Sequence, residues 1–455
     1  MQLLQIPVIL FALLSILTQS SCALQSDEHG IDSMSPRDGT GRSGSHHTNA
    51  VIKDISDQAD AKSMAMAQTV PYLDVLSKVP IYRDNYVELL IDGPATLTSM
   101  MRAIQAAEHY IYLETYIFES SEEGRLFAEA LAEKSRQGIV VNVIYDSVGS
   151  MASDVKMFEM MDASGVSLIE YHPVDPTEGG NPLDINNRNH RKLLVVDGLI
   201  GFTGGVNLSS AYGSGSKPGR RRDPIREGWR DTHIAVKGPV VQGFEQEFLN
   251  HWRSQGGQVA APQEPVSSPA VGDAVVAIVS SKGGDDQGSE IFAAYQDAMR
   301  RAKHSIWITQ AYFAPSDDFL TLLEQAVKRG VDVRLLLPGV SDSKLVLNAS
   351  RSRYTRLLRA GVRIYENQQA VLHAKTAVID GIWSTVGSSN LDYRSFLHND
   401  EINAIILGLD FAKVMEAQFR KDLSSAPEIT LRDWKRRPLW QRITERLSWV
   451  IEYWL

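Results

Sequence analysis

One order of predicted elements occurs twice along the chain, and this internal repeat constrains the fold more than any other feature. Each copy contains a strand, an amphipathic helix, a buried strand, a second helix, a glycine and a further strand. The first copy starts near Tyr86 and the second near Ala274. Strands that alternate with helices predict an α/β fold with largely parallel sheets covered on both faces. The stretch 256–272, rich in Pro and Gly, is the predicted linker between the halves.

Each copy ends in one local motif, in which a histidine is followed at fixed distances by four other residue types. A lysine lies two residues after the histidine, an aspartate seven, a glycine fourteen and an asparagine seventeen. A pattern of this length, duplicated at matching repeat positions, does not arise by chance from residue frequencies. The candidate site residues are His190, Lys192, Asp197, Gly204 and Asn207 in the first copy and His373, Lys375, Asp380, Gly387 and Asn390 in the second.

The spacing of the motif predicts that its polar side chains meet at one end of a β-hairpin. Residues two apart on a strand project from the same face, so His190 and Lys192 can reach one ligand. Asp-Gly after an apolar run predicts a two-residue turn, which places Lys192 opposite Thr203 and His190 opposite Gly205. Asn207 then lies just past the histidine, beyond two glycines that leave room for a close ligand. The aspartate lies roughly 20 Å along the strand, so we expect it to shape the turn or to hydrogen-bond behind the site.

An imidazole, an ammonium and a carboxamide together can hold and attack a phosphate. The second hairpin predicts the same convergence, with His373 opposite Ser388. An isolated histidine is most often structural, but the duplicated trio favours chemistry over that reading. No metal site is predicted, because the lysine of the motif would repel a cation. No other cofactor is indicated.

Composition narrows the function classes. The 455 residues include 46 Lys and Arg against 55 Asp and Glu, a net charge of −9, whereas proteins that coat phosphate backbones are usually basic. General nucleic-acid binding is therefore disfavoured. The single cysteine, Cys22, excludes an internal disulfide framework and a cysteine-ligated zinc site.

The start of the chain predicts export. Residues 1–25 carry no charged side chain and include an apolar run from Ile6 to Leu17, which is short for a transmembrane helix. We expect a signal peptide over 1–23, followed by a linker over 24–72. Lipidation of Cys22 is the open alternative, although Gln19 is not the small or aliphatic residue that such signals usually carry.

The duplicated His-x-Lys-x4-Asp motif, with Gly-Gly-Val-Asn207 and Gly-Ser-Ser-Asn390, resembles the phospholipase D superfamily. More narrowly, Tyr112–Phe118, Tyr145–Ser150 and Trp229–His233 resemble the bacterial cardiolipin synthases. The resemblance runs from about Val87 to the C-terminus and departs at the front, where such synthases often carry two transmembrane helices. It implies an α/β fold of two phospholipase D-like α/β/α sandwich repeats, related by a pseudo-twofold axis, with one active site at their interface.

The resemblance also implies roles for the candidate residues. His190 is assigned as the nucleophile that forms a phosphatidyl-histidine and His373 as the general acid, with the reverse assignment open. The lysines and asparagines of the motifs would bind the phosphate oxygens. Asp231 and Glu401 match the positions of carboxylates that orient the histidines, although either could be an ordinary solvated acid. Glu114 either supports the site or makes a structural hydrogen bond.

The implied reaction is transfer of a phosphatidyl group from phosphatidylglycerol to a second phospholipid, which makes cardiolipin. Phosphatidylethanolamine stays open as a further substrate. Because no motif residue selects the acceptor, a lipid hydrolase of the phospholipase D type is the first alternative and a nuclease the second. A catalytically inactive lipid-binding module is disfavoured by the two intact motifs.

The predicted domains are 73–255 and 273–425, followed by an amphipathic tail over 426–455. Four of the eight tryptophans lie in this tail beside several arginines. The residues Trp440, Ile443, Leu447, Val450, Ile451 and Trp454 fall on one helical stripe. The stripe either lies on an anionic membrane or packs on the protein's own core. We therefore expect a protein of the bacterial cell envelope, peripheral to or anchored in a membrane.

Overall fold

The computed structural model describes residues 79–173, 186–216, 228–258, 268–284 and 289–450, together with Tyr72 and Leu76. The predicted signal peptide with Cys22, nearly all of the linker 24–72 and the last five residues of the tail lie outside these residues. Each helix of the described residues is too short or too polar to cross a bilayer.

The first half of the chain alternates strands and helices as the repeat predicts. Its elements are β1 (Ile81–Ile91), α1 (Asp92–Ala106), β2 (Tyr110–Thr115), α2 (Glu122–Arg136), β3 (Val140–Asp146), α3 (Val155–Ala163), β4 (Ser167–Tyr171), β5 (Arg188–Asn189), β6 (Leu193–Val196), β7 (Ile200–Gly204), α4 (Ser210–Gly213), β8 (Thr232–Lys237) and α5 (Val240–Ser254).

The second half repeats this order and adds the tail. Its elements are β9 (Ala274–Ser281), α6 (Glu290–Arg301), β10 (Ser305–Thr309), β11 (Phe313–Ala314), α7 (Asp317–Lys328), β12 (Asp332–Pro338), α8 (Lys344–Ala360), β13 (Arg363–Asn367), β14 (Thr376–Ile379), β15 (Trp383–Gly387), β16 (Leu391–Asp392), α9 (Tyr393–Leu397), β17 (Asn399–Leu407), α10 (Leu409–Leu423), β18 (Glu428–Ile429), α11 (Leu431–Lys435) and α12 (Leu439–Val450).

The strands of both halves form one continuous sheet, joined at its centre by the antiparallel pair β1 and β9. Outward from β1 the order is β1-β8-β7-β6-β2-β3-β4, and outward from β9 it is β9-β17-β15-β14-β10-β12-β13. The two orders correspond strand by strand, which is the relation that a pseudo-twofold axis through the central pair requires. The predicted pair of α/β repeats is therefore confirmed.

The expectation of largely parallel sheets is wrong for the inner strands. The outer strands β2-β3-β4 and β10-β12-β13 pair in parallel, as helical crossovers require. The strands between them and the centre pair antiparallel, because each motif closes a hairpin and the chain then returns beside it.

Helices cover both faces of the sheet. One cluster of buried apolar residues in each half joins the sheet to α1–α3 or to α6–α8. A third cluster, which includes Phe244 and Phe248 of α5 and Met415 of α10, covers the opposite face and draws on strands of both halves. The two halves consequently share a core as well as a sheet.

The predicted hairpin register is wrong by one residue. Leu193, not Lys192, lies opposite Thr203, because the turn contains Asp197, Gly198 and Leu199. The turn keeps the positive φ angles that Asp-Gly favours, +52° and +64°, and Leu199 adds one residue before the ladder resumes. The second hairpin shows the same shift, with Thr376 opposite Val386. The motif histidines and lysines therefore precede the paired strands instead of lying within them.

The two motif aspartates hold these turns against the rest of the sheet. The Asp197 carboxylate accepts hydrogen bonds from the backbone N–H groups of residues 108–110, each at 2.8 Å. Asp380 does the same with residues 303–305 and also accepts from the hydroxyl of Tyr72 at 2.8 Å. Each aspartate thus connects its hairpin to the start of a buried strand.

We expect Asp197→Ala to lower the free energy of unfolding by about 2–4 kcal/mol, because it removes charge-assisted hydrogen bonds from three backbone donors. Urea unfolding followed by circular dichroism measures the change. Asp410→Ala, at a site whose side chain is 87% exposed, is the control and should lose less than about 0.5 kcal/mol. Equal losses in the two variants would show that the three hydrogen bonds add nothing to stability.

Candidate active site

The histidine of the first motif is held by a carboxylate of the second half. His190 follows β5, which pairs in parallel with the start of β17, so its N–H donates to the carbonyl of Asp400 at 2.9 Å. Its Nδ1 lies 2.9 and 3.0 Å from the two carboxylate oxygens of Glu401, which accept its proton in a hydrogen bond. Nε2 is left as the reactive nitrogen of the ring.

The histidine of the second motif is held by a carboxylate of the first half. His373 donates from its backbone N–H to the carbonyl of Arg230 at 2.7 Å and from Nδ1 to Asp231 at 2.8 Å. The chain therefore exchanges its orienting carboxylates between halves. The sequence predicted both Asp231 and Glu401 as orienting residues but did not show which histidine each one holds.

The two lysines lie within this buried centre. Lys192 Nζ donates to the carbonyl of His190 at 2.7 Å and lies 5.2 Å from the ring centroid of Tyr116. Lys375 Nζ donates to the carbonyl of His373 and lies 3.0 Å from its Nδ1. Both lysine residues are at most 2% exposed, so their ammonium groups are largely removed from bulk water.

Electrostatics shows that the four groups form one site. Burial lowers the pKa of His190 well below its usual value, and the charges of the two lysines and of His373 lower it further. Burial lowers the pKa of Lys192 to about 7, against the charges of Glu401 and Asp231. Burial likewise lowers the pKa of Lys375 to about 8. Residues of both halves thus act on one another across a single centre.

The two orienting carboxylates differ in their acidity. Burial raises the pKa of Glu401 to about 7, although Lys192 and a hydrogen bond from Ser388 favour its charged form. Burial also opposes the ionisation of Asp231, but the charge and hydrogen bond of His373 bring its pKa below the usual value. The carboxylate beside His373 is therefore the one held more firmly as an anion.

The two asparagines occupy different surroundings. Asn207 accepts a hydrogen bond from the N–H of Ile117 and donates to the hydroxyl of Tyr212, which itself lies 3.1 Å from His373 Nδ1. Asn207 is thus linked to the histidine of the other half rather than to that of its own motif. Asn390 is buried, and its Oδ1 has no hydrogen-bond partner among the described residues.

The expectation that the motif glycines make room for a ligand is wrong, because protein atoms fill that room. Gly204 has φ of +155°, and a Cβ there would lie 2.5 Å from the carbonyl of Thr232. A Cβ on Gly387 would lie 2.1 Å from Oδ1 of Asn403. A Cβ on Gly205 would clash with the carboxylate of Asp231 at 2.2 Å. These glycines let the hairpin approach the neighbouring strand and its orienting carboxylate.

Several residues of the site were not predicted. Ser388 donates to Glu401 at 2.5 Å, and the ring of Tyr116 meets that of His190 edge-on with centroids 5.1 Å apart. Tyr212, fully buried, contacts His373 with its hydroxyl. Ser388 lies within the Gly-Ser-Ser-Asn pattern of the second motif, which could have indicated that it belongs to the site. Tyr116 likewise lies within Tyr112–Phe118, which carries the family resemblance, whereas Tyr212 carries no such signal because it meets His373 only after folding.

Two imidazoles and two ammonium groups, assembled from symmetric halves around one buried point, define a phosphate-transfer centre of the phospholipase D type. The family described as "Cardiolipin synthase, PLD-like domain" matches residues 100–216 and 295–423, which contain both motifs. The chain belongs to this family, and it is a phospholipase D-type phosphatidyltransferase.

Comparison with known proteins agrees with this family. The chain is 36% identical to a cardiolipin synthase of Geobacillus kaustophilus over 373 residues, which are 81% of this chain and 72% of that protein. It is 33% identical to a probable cardiolipin synthase of Bacillus subtilis over 80% of this chain and 71% of that protein. The crystal structure of phosphatidylserine synthase from Haemophilus influenzae matches with a TM-score of 0.65 and 13% identity, covering 85% of this chain and 100% of that one. At that identity the last similarity concerns the fold alone.

We expect kcat/KM to fall as the pH rises through about 7 to 8, because Lys192 and Lys375 then lose the charges that would meet a phosphate. The double variant Lys192→Arg/Lys375→Arg keeps both charges, so its kcat/KM, although lower, should decline only at higher pH. Initial rates on a phospholipid substrate between pH 6 and pH 10 measure both profiles. The exposed Lys413→Arg is the control, and an unshifted decline in the double variant would contradict the role of the lysines.

Proposed function

We propose that the protein makes cardiolipin by transferring a phosphatidyl group from phosphatidylglycerol to a second phospholipid, with glycerol as the leaving alcohol. The observation that carries this proposal is the meeting of two imidazoles, one from each half, within one buried centre. A single imidazole could attack phosphorus, but departure of one alcohol and entry of another each need a proton to move. In a site with two imidazoles, one can attack phosphorus and the other can give and take the proton.

In the first step, Nε2 of His190 attacks phosphorus while the bond from phosphorus to the glycerol oxygen breaks. His373 gives its Nε2 proton to that oxygen. In the second step the hydroxyl of the acceptor lipid gives its proton to Nε2 of His373 and attacks phosphorus, and the bond from phosphorus to His190 breaks. Atoms and protons balance over the two steps, and the enzyme returns to its starting state.

The assignment of roles follows the acidity of the two carboxylates. Burial and the charge of Lys375 lower the pKa of His373, but the charge and the hydrogen bond of Asp231, which its own lowered pKa keeps anionic, oppose that shift and favour the protonated form of His373. The neutral state of His190, whose pKa is strongly lowered, leaves its Nε2 lone pair free to attack. Lys192 and Lys375 would neutralise the charge on the non-bridging oxygens, with Asn207 and Asn390 as further donors.

Exclusion of water favours transfer over hydrolysis. The two histidines are 7% and 5% exposed, and the two lysines are buried as well. A phosphatidyl-histidine formed here would have little contact with bulk water, so a lipid hydroxyl that fills the pocket can compete as acceptor. The chain's similarity to cardiolipin synthases supports a glycerol-bearing acceptor.

We expect phosphatidylglycerol vesicles incubated with the protein to yield cardiolipin and free glycerol, since the centre transfers the phosphatidyl group between alcohols. Lipid mass spectrometry, with and without phosphatidylethanolamine, identifies the products. Phosphatidic acid as the main product would replace the proposal with a hydrolase. Cleavage of DNA without lipid turnover would replace it with a nuclease.

Variants of the two histidines serve as controls for this experiment. His190→Ala should abolish both transfer and the covalent intermediate, whereas His373→Ala should slow release of a lipid adduct that mass spectrometry finds on His190. The reverse pattern would exchange the two roles. Unchanged turnover in His373→Ala would reject the shared site.

We further propose that the tail helix α12 places the enzyme on an anionic membrane. The apolar stripe of α12 faces outward: Trp440, Ile443 and Leu447 are 67%, 58% and 64% exposed. The opposite, polar side of the helix is the buried one. Of the two alternatives that the sequence left open, packing of this stripe on the protein core is therefore wrong for these three residues.

An ion pair holds the polar side of α12 to the segment that precedes it, and an aromatic contact of α11 holds the tail to the second half. Glu445 is 2% exposed and accepts from Arg437 at 2.7 Å. Trp434 of α11 packs against Tyr354 of α8 with ring centroids 5.0 Å apart. An apolar face held outward beside Arg442 and similar basic residues is typical of a helix that lies in the interface of an anionic bilayer.

We expect Trp440→Ser/Ile443→Ser/Leu447→Ser to reduce binding to phosphatidylglycerol vesicles by on the order of tenfold or more, because three large apolar side chains no longer enter the bilayer. Vesicle co-sedimentation measures the affinity. A matched control replaces three exposed apolar residues elsewhere, Leu126, Leu199 and Val414, with serine. Equal losses in the two triple variants would contradict the membrane role of α12.

A further inference from the structure

Two buried residues precede the orienting carboxylates and take no part in the steps described above. Arg230 precedes Asp231, and Asp400 precedes Glu401. The two positions are equivalent in the two halves. The motif glycine Gly204 lies opposite His233, two residues after Asp231, and Gly387 lies opposite Asn403, two residues after Glu401. Arg230 and Asp400 are 4% and 1% exposed. Buried charges at equivalent places in the two halves require partners.

The backbones of these two residues hold the catalytic histidines. The carbonyl of Arg230 accepts from the N–H of His373 at 2.7 Å, and the carbonyl of Asp400 accepts from the N–H of His190 at 2.9 Å. In each case the residue and the histidine come from different halves. A shift of either residue would therefore move a catalytic imidazole and its orienting carboxylate together.

The side chain of Arg230 is fixed by a helix of the second half. Its Nη2 donates to Asp422 at 2.7 Å and its Nε donates to the same carboxylate at 3.2 Å, a two-point contact. Nη1 donates to the hydroxyl of Thr232 at 2.9 Å. Asp422 lies near the end of α10, where a negative charge is unfavourable unless a cation neutralises it.

The side chain of Asp400 is fixed by a helix of the first half. In this pair the negative charge lies beside the orienting carboxylate and the positive charge lies on the helix, the reverse of the first pair. Oδ2 of Asp400 lies 3.1 Å from Nε2 of His251, near the end of α5, and its Oδ1 accepts from the N–H of Gly283 at 2.8 Å. The other nitrogen of His251, Nδ1, lies 2.6 Å from the carboxylate of Glu114. With a carboxylate within ion-pair distance of each ring nitrogen, the doubly protonated, cationic form of His251 is the favoured one.

We propose that the ion pairs Arg230–Asp422 and His251–Asp400 are positioning pairs. Each pair fixes one catalytic histidine through the residue that precedes the carboxylate orienting that histidine. His251–Asp400 acts on His190, and Arg230–Asp422 acts on His373. None of these four side chains touches the reacting atoms. The inference rests on the phosphatidyltransferase centre but not on which lipids serve as donor and acceptor.

The opposite polarity of the two pairs gives them different responses to pH. Burial opposes the charge of His251, but the charge of Glu114 and the hydrogen bonds to Asp400 and Glu114 raise its pKa to about 9. The contribution of this pair is therefore complete below the usual histidine pKa and is lost as the pH rises through about 9. Arg230 keeps its charge throughout that range.

The groups around His251 maintain this behaviour. Tyr171 of β4 lies beside it with ring centroids 5.2 Å apart, and Arg191, between β5 and β6, opposes its charge. Arg191 is itself paired with Glu247 of α5 at 3.5 Å, which offsets that repulsion. The two carboxylates in direct contact with His251 outweigh the single guanidinium, so the histidine stays protonated at neutral pH.

The matched variants Asp400→Asn and Asp422→Asn test the proposal, because each removes one charge and keeps the size of the side chain. We expect each to lower kcat by about 10- to 100-fold with KM changed by less than about threefold, the pattern of misplaced catalytic groups. Asp410→Asn, in an exposed pair with Lys413, is the control and should change neither constant. A rise in KM at constant kcat would overturn the proposal.

A second measurement distinguishes positioning from general loss of stability and needs no lipid. Diethyl pyrocarbonate modifies neutral imidazoles, and peptide mass spectrometry gives the rate at each histidine separately. Asp400→Asn should accelerate modification of His190 by about threefold or more and leave His373 within about twofold, whereas Asp422→Asn should do the reverse. Equal acceleration at both histidines in either variant would overturn the proposal.

The unaltered protein provides the same test if a variant fails to fold. Between pH 8 and pH 10 both catalytic histidines are already neutral, since the pKa of each is lowered. We therefore expect modification of His190 to accelerate above about pH 9 while that of His373 does not. Parallel curves for the two histidines would reject the proposal. Because modification is independent of lipid turnover, a failure of the proposed substrates would leave this result intact.

Discussion

The exchange of carboxylates between the two halves is the interaction on which the active site depends. His190 is oriented by Glu401 and His373 by Asp231, so neither half contains a complete catalytic unit. The continuous sheet through β1 and β9 fixes the distance between the halves and thereby the distance between the two imidazoles. The duplicated fold therefore contains one active site and not two, because each half supplies part of it.

Burial of so many ionisable groups in one place has an electrostatic cost that a substrate can offset. The lysines lose part of their basicity and Glu401 part of its acidity, which shows that the site does not fully compensate its own charges. A phosphodiester adds the anion that these ammonium groups lack. The same desolvation that lowers their pKa values also strengthens their contact with the phosphate. Affinity for the phosphate and sensitivity to alkaline pH therefore have one origin.

The tail and the catalytic centre meet through helix α8. Its last turns contact the tail, since Trp434 donates to the hydroxyl of Thr355. Its first turn follows Asp342, which accepts from Tyr312, and the ring of Tyr312 lies 6.2 Å from that of His373. Helix α8 thus contacts the tail near one end and, through Asp342 and Tyr312, the edge of the site near the other. This arrangement suits an enzyme whose substrates are held in a bilayer.

The sequence by itself determined the repeat, the two motifs and the residue types of the site, because these depend on local spacing along the chain. It also indicated Asp231 and Glu401 as orienting acids. It missed the extra residue in each hairpin turn, because Leu199 is an apolar residue that reads equally well as the start of the next strand. Only the tertiary structure decided which carboxylate holds which histidine. Those contacts join residues 211 and 142 positions apart, and no local pattern encodes such pairs. The polarity of Arg230–Asp422 and His251–Asp400 was likewise set by packing between the halves, where burial turns ordinary charged residues into fixed partners.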